Sequence, residues 1–430
     1  MTDAPWREAA SRGAAWWGED GATLRRVLAD QLHSELRRLR LGDPGGPPPW
    51  LWDDDTLLDA EGAPDSLDLL SLSAALAEML PDAEVGFVGS WRLGDWCDGA
   101  AQARARPPRH VTFRSSGSTG APARTTHRLD DLEREAAAFA ALLGARRRVL
   151  CAVPSHHAYG FIHSVLLPRH LAPDHLGPDY LAPAGAVEVV ELRGQAASRL
   201  ASLVRPGDLV LGHPAFWEAA LRGMFEALPP DVVGITSTAP CPDGTALGLR
   251  AAGLARLVQV YGSAETAGIG WRDDPAQPYA LLPGWRRDGA GLWWKSQAGE
   301  GRAVDAPDRL AWEGEGFRVL GRRDGAVQVG GVNVSPEQVG ARLARHPGVA
   351  EVAVRAMRPE EGARLKAFVV PAGPGGDPRV LRAALRRFAA AELSAAERPG
   401  AYAFGEALPR NGMGKLADWG GGECEGSGEG

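Results

Sequence analysis

"VTFRSSGSTGAPAR" spans Val111 to Arg124. A short strand-like run, Val111-Thr112-Phe113, leads straight into Ser115, Ser116, Gly117, Ser118, Thr119 and Gly120. Glycines and small hydroxyl residues in that density do not form a helix or strand interior. A Gly/Ser/Thr loop placed after a strand presents backbone N–H groups and hydroxyls to phosphate oxygens. It is not a Walker loop, because the GxxxxGK[ST] pattern is absent. Taken alone, the same residues also suit a plain surface turn.

What flanks the loop predicts the fold class. Downstream, uninterrupted apolar runs alternate with helical patterns up to about Glu265. The runs are "RVLCAVP" (Arg148 to Pro154), "VEVVEL" (Val187 to Leu192), "DLVLGH" (Asp208 to His213), "DVVGITS" (Asp231 to Ser237) and "RLVQVYG" (Arg256 to Gly262). Helical stretches lie between them, including Leu129 to Leu143 and Pro214 to Leu228. Buried runs alternating with helices predict an α/β fold, a parallel sheet covered on both faces. Ligands then sit at the carboxyl ends of its strands. Antiparallel strands are expected over Tyr279 to Leu320. A small α+β unit follows, with helices near Pro336 to Arg345 and Asp377 to Leu393. Upstream, residues 21–106 read as helical.

The chain has 430 residues, too many for one compact core. Hydrophobic residues make up 44% and charged residues 23%, the proportions of a globular protein in water. A net charge of −7 with interspersed arginines argues against nucleic acid or an anionic membrane surface as the main partner. The four cysteines form no CxxC pair, which disfavours a zinc or redox motif and suits a reducing cytoplasm. No apolar run approaches the twenty or so residues of a membrane span, and the first residues lack the apolar core of a secretory signal.

Five further segments accompany the loop, in order. "VPSHHAYGF" (Val153 to Phe161) holds Pro-x-x-His-x-x-Gly; "QVYGSAETAGIG" (Gln259 to Gly270) holds Tyr-Gly-x-x-Glu; "APDRLAW" (Ala306 to Trp312) holds an aspartate. "GRRDGAVQVGGVNVSPEQV" starts at Gly321, and "LPRNGMGKL" (Leu408 to Leu416) ends in Gly-Lys. Together with the loop, these segments resemble the adenylate-forming superfamily of acyl-CoA synthetases and adenylation domains, over roughly Val111 to Trp419. The resemblance implies an adenylate-forming fold with a mobile carboxyl-terminal α+β domain. It also implies ATP-dependent conversion of a carboxylic acid to an acyl-AMP, followed by transfer to a thiol.

The site residues follow from the same resemblance. Ser115 to Gly120 are expected to hold the phosphates, and Glu265 the Mg²⁺. Ser237, Thr238, Ala239 and Pro240, with Gln259, Tyr261, Gly262 and Ser263, are expected to line the nucleotide. Asp308, with Arg322 close by, is expected at the ribose. Tyr159, Gly160, Ala264, Ala267 and Gly268 are expected around the acyl group, with His157 gating it. Lys415 is expected to bring its charge to the carboxylate and α-phosphate. Asp324 falls at the hinge, and Gly330 and Gly331 at a channel for the thiol. Three positions depart from the pattern: Ala123 stands where a lysine is usual, with Arg124 next to it; Ala264 replaces a threonine; Gln328 replaces a lysine.

The front of the chain is patterned differently. "LLDAEGAPDSLDLLSLSAALAEML" (Leu57 to Leu80) resembles an acyl carrier protein around its modified serine, which makes Ser66 a candidate phosphopantetheine site. The alternatives are that Asp65 and Ser66 merely cap a helix, or that this is a diverged front of the adenylation domain. The expected divisions are a carrier-like helical domain (1–106), an adenylation core (107–321), a mobile domain (322–419) and a tail (420–430). "YGSAETAGIGWR" is similar to aryl-acid ligases of bacterial polyene-pigment clusters. It implies a hydroxybenzoate- or cinnamate-like acid passed to a carrier protein. The alternatives are a free CoA ligase and a non-catalytic docking protein.

Overall fold

The computed structural model describes residues 21–39, 47–58, 66–83, 86–102, 108–114, 123–171, 187–289, 291–306, 308–323, 325–330, 332–358, 360–373, 377–409 and 419. Contacts divide these into two compact units. The first holds the described residues up to 306 together with 310–319; the second holds 308–309 and those from 320 onward.

Helix α1 (Gly21–Leu39) opens the first unit, followed by α2 (Ser66–Met79) and α3 (Leu93–Gln102). A hairpin follows, β1 (His110–Arg114) and β2 (Arg124–Arg128), registered Arg114 to Arg124 at its loop end. Helix α4 covers Leu129–Leu143, the same residues whose spacing predicts it. Then come β3 (Arg148–Cys151), the short α5 (Ala158–Phe161), β4 (Glu188–Glu191) and β5 (Leu209–Gly212). Helix α6 is Pro214–Arg222, and β6 is Val233–Thr236. Next are α7 (Asp243–Ala251), β7 (Arg256–Ser263), β8 (Ala267–Arg272) and β9 (Ala280–Leu281).

Strands β3 to β9 form one sheet in the order β4-β3-β5-β6-β7-β8-β9. Its first five strands run parallel, and β8 and β9 close it antiparallel. Every residue of β5 and β6 is buried. That is why these strands are unbroken apolar runs: helices cover both faces. The chain leaves β3 for β4 on one side and returns to β5 on the other, so a switch in strand order lies beside β3. Crevices that bind ligands open at the carboxyl ends of strands beside such a switch. Strands β10 (Trp285–Asp288), β11 (Gly291–Lys295) and β12 (Gly301–Val304) make a separate antiparallel sheet in the same unit.

The amino-terminal helices do not stand apart at residue 106. Leu28, Leu32 and Leu36 of α1, Leu72 and Leu76 of α2 and Trp96 of α3 lie in one continuous apolar cluster with Phe113, Phe139, Phe161, Leu209 and Ile269. These helices thus complete their core against the sheet.

A two-residue connection joins β13 (Asp308–Glu313) to β14 (Gly316–Arg322), which makes the pair antiparallel. The second unit contains the hairpin β15 (Val327–Val329) and β16 (Val332–Val334), then α8 (Pro336–Leu343). Strands β17 (Val349–Ala356), β18 (Leu365–Pro371) and β19 (Ala401–Phe404) form its sheet, and α9 is Pro378–Glu392. Val339, Leu343, Leu365, Leu385 and Tyr402 are buried in its own core. Contacts part the units inside β14, at 319/320, with residues 308–309 also in the second unit.

Candidate active site

Strands β3, β5, β6 and β7 end at Cys151, Gly212, Thr236 and Ser263, on one edge of the sheet. The segment after β3 holds His157, Tyr159 and Gly160. The Tyr159 hydroxyl lies 3.0 Å from both Gly212 O and Ile235 O, so one O–H is shared between the ends of β5 and β6. A Cβ on Gly160 would lie 1.9 Å from Pro154 O, so only glycine lets this turn close. The His157 ring is open to solvent yet densely surrounded by protein, and burial holds its pKa below the ordinary imidazole value. Its centroid is 4.0 Å from that of His156, whose pKa burial pushes lower still.

Ser237 follows β6, and its Oγ donates to Val260 O of β7 at 2.9 Å. Thr238 has φ of 76°, the left-handed region, and so turns the chain sharply into Ala239 and Pro240. Gln259 is buried, and its Oε1 accepts from Arg272 Nε and Nη2 at 3.1 and 3.0 Å. Tyr261 packs edge-on against Phe317, which stacks on Tyr279.

The turn from Ser263 to Gly268 carries Glu265, exposed at its tip. A Cβ on Gly262 would meet Ala267 O at 2.0 Å, where a bulge shifts the β7–β8 register. Two side chains grip this turn from outside it. His127 Nε2 donates to Ala264 O at 2.7 Å, and Gly268 N donates to Glu135 Oε2 at 2.9 Å. Burial pushes the Glu135 carboxyl up to about 7, opposed by the Gly268 N–H and by Arg134. Beside the turn is a cavity of about 310 Å³ lined in part by His127, Asp131, Glu135, Glu265 and Arg302.

The stems of the hydroxyl-rich loop are held by acids from the amino-terminal helices. Arg114 pairs with Glu35 at 2.7 Å and Glu78 at 2.5 Å, and Arg124 pairs with the same Glu78 at 2.9 Å. Arg124, the cation nearest the missing lysine, is therefore engaged in an ion pair. Ser66 is exposed at the first residue of α2.

The structure thus gathers His157, Tyr159, Gly160, Ser237 to Pro240, Gln259, Tyr261 to Glu265, Ala267 and Gly268 along one sheet edge and its adjoining turns. Asp308 and Arg322 sit in the second unit, at the adjoining ends of β13 and β14, and Gly330 turns β15 into β16 with φ of 59°. Ser115 to Gly120, Asp65, Asp324, Gly331 and Lys415 lie outside the described residues. Among the described residues no cluster of three or more His, Cys, Asp or Glu side chains could hold a metal ion.

Glu35, Glu78, His127 and Glu135 were not singled out from the sequence. Glu135 had a signal: it falls between Leu132, Ala136 and Phe139, on the apolar face of α4. An acid on such a face needs a partner inside the protein.

A parallel sheet with these segments along its carboxyl edge, and a small α+β unit after it, defines an enzyme of the adenylate-forming fold. Residues 338–415 match the AMP-binding enzyme C-terminal domain. The 4-coumarate–CoA ligase of Cereibacter sphaeroides is 37% identical over 399 residues, covering 90% of each chain. That of Halorhodospira halophila is 40% identical over 372 residues, covering 84% of this chain and 90% of its own. Among solved structures, the o-succinylbenzoate CoA synthetase of Bacillus subtilis aligns with a TM-score of 0.55 at 20% identity, covering 71% of this chain and 67% of its own. The chain belongs to the adenylate-forming acid–CoA ligases, in the group that includes 4-coumarate–CoA ligases. Among its described helices none is long and apolar enough to cross a membrane.

Proposed function

We propose that the enzyme activates a flat aryl acid of the hydroxycinnamate class with ATP and transfers the acyl group to the thiol of CoA. The observation that carries this reading is similarity across 90% of the chain to a 4-coumarate–CoA ligase. In the first step a carboxylate oxygen attacks the α-phosphorus, and the bond to the β-phosphate oxygen breaks. The products are acyl-AMP and pyrophosphate. In the second, the thiol sulfur attacks the acyl carbonyl, loses its proton, and AMP departs. Charge spreads over phosphoryl oxygens in the first step, so positioning and electrostatic stabilisation are the main contributions asked of the protein.

Ser116, Ser118, Thr119 and the backbone from Ser115 to Gly120 are assigned to the β- and γ-phosphates. Tyr159 and the small residues Gly160, Ala264, Ala267 and Gly268 are assigned to the planar ring of the acid, with His157 as its gate. Ser237 to Pro240, Gln259 and Tyr261 to Ser263 are assigned to the nucleotide, and Asp308 and Arg322 to the ribose. Glu265 fits Mg²⁺: it is an exposed hard oxygen donor, and Mg²⁺ is commonly held by one or two carboxylates together with substrate phosphates. Bound there, the ion neutralises charge on the phosphates. Lys415 is assigned to the α-phosphate, Asp324 to the hinge of domain rotation, and Gly330 and Gly331 to the thiol's approach.

ATP–pyrophosphate exchange across 4-coumarate, cinnamate, 4-hydroxybenzoate and a fatty acid tests the acid; exchange only with the fatty acid refutes an aryl substrate. Supplying CoA or a phosphopantetheinylated carrier protein then tests the acceptor. A thioester on the carrier alone refutes CoA. The exposed Ser66 leaves a second reading, a phosphopantetheine attached to this chain. Incubation with a phosphopantetheinyl transferase and CoA, followed by intact-mass measurement, decides it: an unchanged mass removes that reading.

A further inference from the structure

We propose that Asp30 is a positioning residue for the acid-side segment Val153–Phe161, a role that rests on the assignment of His157 to the acid. Asp30 lies on the buried face of α1 beside Val27 and Leu28 and is 2% exposed. A charge in such a place is strongly unfavourable unless paired and hydrogen-bonded. Its partners are specific. Ser155 donates to Asp30 Oδ2 through both its backbone N and its Oγ, each at 2.7 Å. Arg193 Nη1 donates to Oδ1 at 2.6 Å. Arg193 is held in turn by Glu191, through Nε at 2.8 Å and Nη2 at 2.6 Å. Ser155 is fully buried and stands two residues before His157.

The same helix holds the far end of this region. Arg26 Nη1 donates to Ser164 Oγ at 2.7 Å, and Ser164 Oγ donates to Gly160 O at 2.7 Å. One face of α1 thus grips the chain on both sides of His157 and Tyr159. The Asp30 charge also reaches His157. It favours the protonated ring there, against the burial that disfavours it. The groups facing the two imidazoles are otherwise cationic or neutral: His156 faces His157, Arg193 and His33. Among the described residues Asp30 is the carboxylate that acts on His157, and its Oδ2 also holds Ser155.

The test compares full-length wild type, Asp30→Asn, Ser155→Ala and His157→Ala in ATP–pyrophosphate exchange with 4-coumarate. Acid is varied at saturating ATP and ATP at saturating acid, from pH 5 to 8. Asp30→Asn keeps the volume and removes the charge. Its acid KM is expected to rise about tenfold, because small misplacements of a positioning segment are felt strongly. Its ATP KM is expected to stay within about twofold, and the pH inflection of His157 to move to lower pH. Ser155→Ala, which keeps the backbone N–H bond, is expected to raise the acid KM less. Equal rises in both KM values mark a merely structural role and overturn the proposal. If Asp30→Asn does not fold, Ser155→Ala decides: an unchanged acid KM overturns it. An unchanged acid KM in His157→Ala overturns the assignment of His157 and the role of Asp30 with it. A raised value there, with an unchanged one in Asp30→Asn, overturns the role of Asp30 alone.

Discussion

Glu135→Gln is expected to stabilise the protein, and more so as pH rises. The carboxyl is buried on α4, bonded to Gly268 N, and pushed up to about 7 from the ordinary 4.5. The native state therefore binds its proton more tightly than the unfolded chain does. That preference favours folding fully below pH 4.5 and is lost as pH rises through 7. At full ionisation the buried carboxylate costs about 3 kcal/mol; at pH 5 the cost is about 1 kcal/mol. Glutamine cannot ionise, yet its oxygen still accepts from Gly268 N, and its amide can face the cavity that Glu135 lines. The stability difference between variant and wild type should thus change by about 2 kcal/mol between pH 5 and pH 8. In a unit of this size that is about 3–4 °C in Tm. Thermal melts of both proteins at the two pH values measure it. A variant-minus-wild-type difference that is the same at both, or a variant less stable at pH 8, refutes the reasoning.

Tyr159→Phe removes a donor shared by Gly212 O and Ile235 O. It should cost about 1–3 kcal/mol of stability by urea unfolding, and raise the acid KM in exchange assays while sparing that for ATP. Glu265→Gln should lower exchange about 100-fold, with part of the loss recovered at higher Mg²⁺; loss that Mg²⁺ titration does not touch excludes the metal role. Lys415→Ala should lower acyl-AMP formation about 100-fold or more while leaving thioester formation from supplied acyl-AMP nearly intact. Equal loss in both half-reactions refutes a role confined to the first.

The parallel sheet is readable because its strands are uninterrupted apolar runs and its helices keep a helical spacing. Leu129–Leu143 could be placed to the residue, since its apolar positions recur at helical intervals and Gly144 ends them. The edge that gathers the ends of β3, β6 and β7 is also foreseeable, because parallel strands must all end on one side. The join between the amino-terminal helices and the sheet is not. Asp30 and Ser155 are 125 residues apart in sequence, and Arg114 and Glu35 are 79 apart. No local pattern encodes such pairings. Their trace is the presence of acids, Asp30 and Glu35, on a face otherwise made of Leu24, Val27, Leu28 and Leu32. The α2 segment that resembles a carrier protein has a helical spacing that either a free-standing module or a packed lobe can satisfy. Its burial against the sheet's core separates the two only in three dimensions.

Because α1 shares its leucines with the sheet's apolar cluster and sends carboxylates to Ser155 after β3 and to Arg114 of β1, the front of this chain cannot be traded as a cassette. A chimera spliced at residue 106 would strip Arg114 of Glu35 and Ser155 of Asp30, and would bare Phe113 and Phe161 to water. The contacts divide instead around the β13–β14 pair, with 308–309 and the residues from 320 onward on the carboxyl-terminal side. Swapped caps from related ligases should be tolerated there, while swapped heads must carry their own matching acids.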